Sequence, residues 1–141
     1  MFSGEQAHQL DAKNRIRIPA KFKSEMTEKM VFCRGTTPCI YVLPKSEFEK
    51  MAQKFNAVSF FDEDAQEAFS FFMSSFESVE EDNQGRIVIP SALKEYAGID
   101  KNVITVGVFN RLEIWSEENR KEAERKTTYA SRMRTLSEKT Q

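Results

Sequence analysis

Histidine is nearly absent: His8 is the only one in 141 residues. Catalytic arrangements of the Ser/His/Asp or Cys/His kind would all have to pass through that single residue, and no glycine-rich phosphate loop offers an alternative chemistry. Cysteine is scarce as well, with Cys33 and Cys39 alone. A disulfide between them is geometrically possible, but in a chain without a leader sequence reduced, buried thiols are the expectation. A zinc site would need ligands that are not there. Long apolar runs are missing too; none approaches the roughly 20 residues that span a bilayer. Met1-Phe2-Ser3-Gly4-Glu5 carries no basic, then apolar, leader pattern, so a cytoplasmic protein without cofactor, metal or small-molecule substrate is expected.

What is present is ordinary in amount and uneven in placement. Hydrophobic residues make up 40%, enough for one packed core, or for two very small units sharing one. Net charge is −1 at pH 7, which seems to speak against nucleic acid. Residues 1–55, however, hold ten Lys/Arg against six Asp/Glu, while residues 56–82 hold eight acids and no base. A local basic patch is all that phosphate attraction requires.

The chain repeats itself. Asp11-Ala-Lys-Asn-Arg15-Ile-Arg-Ile-Pro19 returns 71 residues later as Asp82-Asn-Gln-Gly-Arg86-Ile-Val-Ile-Pro90. Val31–Gly35 and Cys39–Pro44 return 72 residues later as Val103–Gly107 and Arg111–Ser116. Such ordered matching marks a duplication. Each copy predicts a tight turn, a short alternating strand (Arg15–Ile18, Arg86–Ile89), and a short helix opened by proline (Pro19–Met26, Ser91–Tyr96). A hairpin follows in each, turning through Gly35–Pro38 in the first copy and Phe109-Asn110 in the second. A helix capped by Ser46 carries Phe48, Met51, Ala52 and Phe55 on one stripe, and one over Asp62–Ser75 buries Ala65, Ala68, Phe69, Phe72, Met73 and Phe76. Ser116 caps a last, highly charged helix, and Thr135–Gln141 is expected to be a mobile tail.

A half-unit of four short strands has little core, so the two copies should pair strands within one chain and close the sheet. The expected fold is α+β, mainly β: a pseudo-two-fold, double-ψ or swapped-hairpin barrel from two internal repeats with flanking helices. The divisions expected are repeat one with its helix at 1–55, a connecting helix at 56–76, repeat two with its helix at 77–125, and a helix end with tail at 126–141.

The chemistry concentrates in Asp-x-x-x-Arg. A carboxylate four residues before an arginine at a strand corner can fix the guanidinium, and a fixed fork suits bidentate bonding to guanine O6 and N7 or to phosphate. Lys13 and Arg17 add charge in the first copy, with Lys21 and Lys23 near in sequence, whereas the second has Gln84. The first corner should therefore hold phosphate more strongly. The alternative is that Asp11–Arg15 and Asp82–Arg86 serve only to shape the corners, and duplication would copy that too. Phe60-Phe61 and the aromatics from Phe69 to Phe76 have the spacing of core or subunit interface rather than of base stacking. Asp62–Asp64 read as helix N-terminal charges, and His8 as a strand residue.

At these residues the sequence resembles the MraZ family, bacterial regulators whose halves are each similar to the AbrB-type swapped-hairpin DNA-binding unit. The resemblance runs from Met1 to about Arg120. It rests on both Asp-x-x-x-Arg blocks with their Ile-Pro, on Arg34-Gly35 with Cys39, on Tyr96-Ala-Gly98, and on Arg111-Leu-Glu-Ile-Trp115. Asn14 departs from the family's usual glycine, but asparagine tolerates a left-handed turn. The resemblance implies a nucleoid-associated repressor of its own gene and of the division and cell-wall gene cluster. It implies binding to short direct repeats in double-stranded DNA, as a ring-like homo-oligomer. Carried over residue by residue, the DNA-contacting set is Asp11, Lys13 and Arg15 with Arg17 beside them, and Asp82, Gln84 and Arg86. Two other classes are weighed against it. AbrB-like folds also serve as antitoxins, but usually as one unit with a disordered tail. A wall-synthesis enzyme lacks its catalytic set.

Overall fold

A computed structural model describes residues 1–141. In chain order the first repeat gives β1 (Glu5–Gln9), β2 (Arg15–Arg17), α1 (Ala20–Lys23), β3 (Met30–Arg34), β4 (Ile40–Pro44) and α2 (Lys45–Phe55). After α3 (Glu63–Met73) the second repeat gives β5 (Glu77–Val79), β6 (Arg86–Val88), α4 (Ser91–Tyr96), β7 (Asn102–Val108), β8 (Arg111–Ser116) and α5 (Glu117–Arg125), and α6 (Tyr129–Lys139) ends the chain.

The repeats are interleaved, not juxtaposed. A six-stranded sheet runs β1-β7-β8-β4-β3-β5, so each repeat lends its first strand to the other's hairpin. A separate two-stranded ribbon joins β2 to β6. All these pairings are antiparallel. Ile16 faces Ile87 in the ribbon, and Tyr41 faces Glu113 where β4 meets β8. Both are pairs of repeat-equivalent residues, so an approximate two-fold axis passes through both. The strands flanking each Asp-x-x-x-Arg corner separate into different sheets instead of forming a local hairpin. The mixed α+β architecture is as expected, but the sheet is not closed: β1 and β5 are its edges. β2 and β6 pair with each other instead of with those edges.

The core lies between sheet and ribbon. Alternation along β2 and β6 turns Ile16 and Ile87 inward, where both are almost fully buried with Phe22, Phe32, Val42, Leu112 and Ile114. Burying one such side chain contributes about 1.5–3 kcal/mol, so the central isoleucine pair alone firmly anchors the ribbon to the sheet. Cys33 and Cys39 are free thiols in the interior, and burial pushes both up to about 12, which keeps them protonated.

Three local expectations need correcting. Helix α2 begins at Lys45 behind Pro44, and the Ser46 hydroxyl does not cap it but donates to Glu28 Oε2 at 2.8 Å. The proline already sets the entry, which frees the serine for that bond. No α3 residue is fully buried, and Ala68 is exposed. Helix α3 rests its rings on α2, through Phe55–Phe69 and Phe55–Phe72 contacts at 4.8 and 5.7 Å, and is tied to β3 by the Arg34 guanidinium on the Phe71 carbonyl, so only one stripe of it is half-covered. The C-terminal segment is helical: Thr128 accepts the Ser131 N–H and opens α6, leaving only Thr140 and Gln141 beyond it. Ser116 caps α5 as expected, and Asp62, expected as a helix N-terminal charge, is itself the cap of α3.

Candidate nucleic-acid interface

The two corners are the same object built twice. The Asp11 N–H donates to the Arg15 carbonyl at 3.0 Å, and the Asp82 N–H to the Arg86 carbonyl at 2.8 Å. In each, one carboxylate oxygen accepts two backbone N–H groups: Lys13 and Arg15 at 2.9 Å, Gln84 and Arg86 at 2.8 and 2.9 Å. The second oxygen accepts the arginine Nε–H, at 2.6 Å in the first corner and 2.7 Å in the second. Asn14 sits at φ 59° and its equivalent Gly85 at φ 76°, so asparagine supplies the left-handed turn that glycine supplies in the other copy. The corner survives that departure unchanged.

Electrostatics follow from these bonds. The Arg86 N–H, above all, holds the Asp82 carboxyl down at about 2, and the Arg15 N–H likewise holds Asp11 below its ordinary value. Both carboxylates stay ionised throughout the physiological range. Each guanidinium is thus tied by Nε while its two Nη groups make no hydrogen bond to the protein. The Arg15 and Arg86 side chains are 22% and 26% exposed, so they are partly embedded, and both line a surface depression. A planar fork with a fixed stem and free Nη edge can take a guanine edge or a phosphate in bidentate fashion with little ordering left to do.

The ribbon brings these arginines together. With Ile16 and Ile87 turned inward, Arg15, Arg17, Arg86 and Val88 share its outer face, with Arg17 directly across from Arg86 and Arg15 across from Val88. Like charges opposite one another in a ladder are destabilising. Arg17 has no acidic partner to offset this, so an outside anion would relieve it. Asp11, Arg15, Arg17 and Arg86 line one shallow depression beside His8. The structure therefore gathers Asp11, Arg15, Arg17, Asp82 and Arg86 into one patch, with Lys13 and Gln84 exposed on the turns that flank it.

Neighbouring candidates are otherwise engaged or lie apart from it. The Lys23 ammonium is engaged by Glu81, and Lys21 lies over the Phe22 ring at 5.2 Å. His8 is half-buried on β1, 2.7 Å from Thr105 Oγ1, and burial lowers its pKa, so it is a neutral strand residue. Phe60, Phe61 and Phe71 are exposed, far from the ribbon in sequence and on the α3 side. Sequence reading did not single out a buried charge, Glu113, which binds Arg111 at 2.8 Å and the Trp115 indole N–H at 2.9 Å. It sits on the two-fold at the β4–β8 seam, and its signal was the Arg-x-Glu-x-Trp alternation on one strand face.

Fold and patch together define a duplicated, strand-exchanged α+β protein that presents two carboxylate-steadied arginines on one antiparallel ribbon. The family model described as "MraZ protein, putative antitoxin-like" matches twice, over residues 1–72 and 71–141, in step with the internal repeat. The transcriptional regulator MraZ of Carboxydothermus hydrogenoformans is 42% identical over 118 residues, covering 84% of this chain and 82% of that protein. Those of Halothermothrix orenii and Clostridium beijerinckii are 44% identical over 116 residues (82% and 81% covered) and 43% over 118 (84% and 83%). The chain belongs to the MraZ family.

Proposed function

We propose that this chain is a sequence-specific DNA-binding transcriptional regulator, acting as a repressor of its own gene and of the division and cell-wall gene cluster. Its targets are short direct repeats in double-stranded promoter DNA, and its site is Asp11, Lys13, Arg15, Arg17, Asp82, Gln84 and Arg86. The observation that carries this reading is the duplicated corner: in both, the carboxylate takes the arginine's Nε–H and leaves the Nη edge free. A turn that needed only shaping would be served by the backbone bonds to the first oxygen. A two-stranded ribbon fits a major groove, whose base edges an arginine fork can read. The names of the relatives support the regulatory role.

Self-association into a ring-like homo-oligomer belongs to the same reading. Phe60, Phe61 and Phe71 on one side and Tyr129 and Leu136 on α6 are large apolar groups left exposed, as subunit contacts require. Several modest sites on one ring bind adjacent repeats with high avidity, which suits a chain of net charge −1. No helix is long and apolar enough to cross a membrane, in keeping with a cytoplasmic, nucleoid-associated protein.

A footprinting titration on the DNA upstream of the protein's own gene tests this. Protection of regularly spaced short repeats is expected. Uniform weak protection, indistinguishable from that of unrelated DNA at the same salt, would overturn it.

A further inference from the structure

Resting on that DNA reading, we infer that Val88 is a specificity-determining residue whose side chain packs on a thymine methyl group and gives the bound site a direction. The ribbon is two-fold in backbone but not in side chains. Arg15 and Arg86 are equivalent across the axis through Ile16 and Ile87, whereas the equivalent of Arg17 is Val88. The outer face thus offers three arginines and one branched apolar group, and Val88 is 62% exposed there. Strand propensity accounts for a valine in β6 but not for leaving it in water on a face it shares with three arginines. Val88 lies directly across from Arg15, so whatever base Arg15 reaches, Val88 reaches its neighbourhood. In the major groove the apolar feature available is the C5-methyl of thymine.

The surroundings add to the asymmetry. Arg17 shares a depression with Lys21, Lys23 and Gln84 and a single acid, Glu81, while Val88 shares one with Arg86 and four acids, Glu77, Glu80, Glu81 and Asp82. A phosphate backbone is attracted on the first side and repelled on the second, so the duplex lies in one sense across the ribbon. A symmetric reader matches a palindrome. An asymmetric one matches a site with direction, which can be repeated head to tail.

The test is selection of binders from a randomised double-stranded oligonucleotide pool, using the intact protein, Val88→Ala and Val88→Arg. The intact protein should enrich a non-palindromic sequence with one position dominated by thymine. Replacing that thymine by deoxyuridine should weaken binding about fourfold, the worth of one buried methyl group. Val88→Ala should reduce that penalty below about twofold. Val88→Arg should lose the thymine preference, bind unrelated DNA more tightly and steepen the salt dependence by about one phosphate contact. An unchanged thymine preference in both variants, or no deoxyuridine penalty with the intact protein, overturns the role of Val88 while leaving DNA binding in place. Enrichment of no sequence by the intact protein overturns the DNA reading, and this inference with it.

Discussion

Asp11→Asn separates two roles that the carboxylate combines. Oδ1 accepts the Lys13 and Arg15 backbone N–H groups, and Oδ2 accepts the Arg15 Nε–H. An asparagine oxygen can keep the first pair of bonds, but its NH2 group cannot accept the third. The turn should persist while the guanidinium loses its tether. Re-ordering a freed arginine on binding costs about 0.5–1.5 kcal/mol, or roughly 2- to 10-fold in affinity. Electrostatics push the other way, since a negative charge near the phosphates disappears; through water at physiological salt, over about one Debye length, that gain is less than about 1.3-fold. The net expectation is weaker binding of promoter DNA, by about 1.5- to 10-fold. Fluorescence anisotropy with a labelled promoter duplex, beside a thermal melt, reads both quantities. Equal or tighter binding by a variant with an unchanged melt would refute the tether, because charge removal alone predicts that sign.

Two further outcomes follow from local geometry. Asp82 is held at about 2 against an ordinary 3.8, a depressed acid, so its contribution to the fold is present above the ordinary carboxylate range and is lost as pH falls from about 4 toward 2. A carboxyl-carbon NMR titration should place its midpoint there, with Asp11 also below the ordinary value, and a midpoint near 3.8 would contradict the corner's bonding. At Gly107 a Cβ would lie 2.5 Å from the Ser3 backbone nitrogen, so Gly107→Ala should destabilise the protein by about 1–3 kcal/mol in a denaturant melt. An unchanged midpoint would show that the N-terminal strand does not pass where the structure puts it.

The repeat and the corners were legible in the sequence because their signals are local. Asp, a left-handed position and Arg within five residues determine the turn, whether Asn14 or Gly85 fills the fourth. Ser116 was readable as a cap for the same reason, and Asp62, read as a helix N-terminal charge, caps α3 as well. Strand exchange was foreseeable only as a need, since a half-unit lacks a core. Which strands cross over depends on contacts some 70 to 100 residues apart, such as Ile16 with Ile87 and His8 with Val103. That is also why the closed barrel was expected and an open sheet with a separate ribbon is found. The Arg17–Arg86 juxtaposition was invisible for the same reason: each arginine is ordinary until the ladder sets them opposite each other. Ser46 misled because a good capping residue two positions after proline had a competing acceptor, Glu28, 18 positions away.

The central claim is that the arginines at the two corners, Arg15 and Arg86, carry DNA recognition. The most direct measurement is the affinity of the Arg15→Ala/Arg86→Ala double variant for the promoter duplex, relative to its affinity for an unrelated duplex at the same salt. Each side chain is partly embedded but not part of the core, so the variant should fold. With about 1–3 kcal/mol lost per contact, preference for the promoter should collapse. A folded double variant that still prefers the promoter by the original ratio would contradict the account.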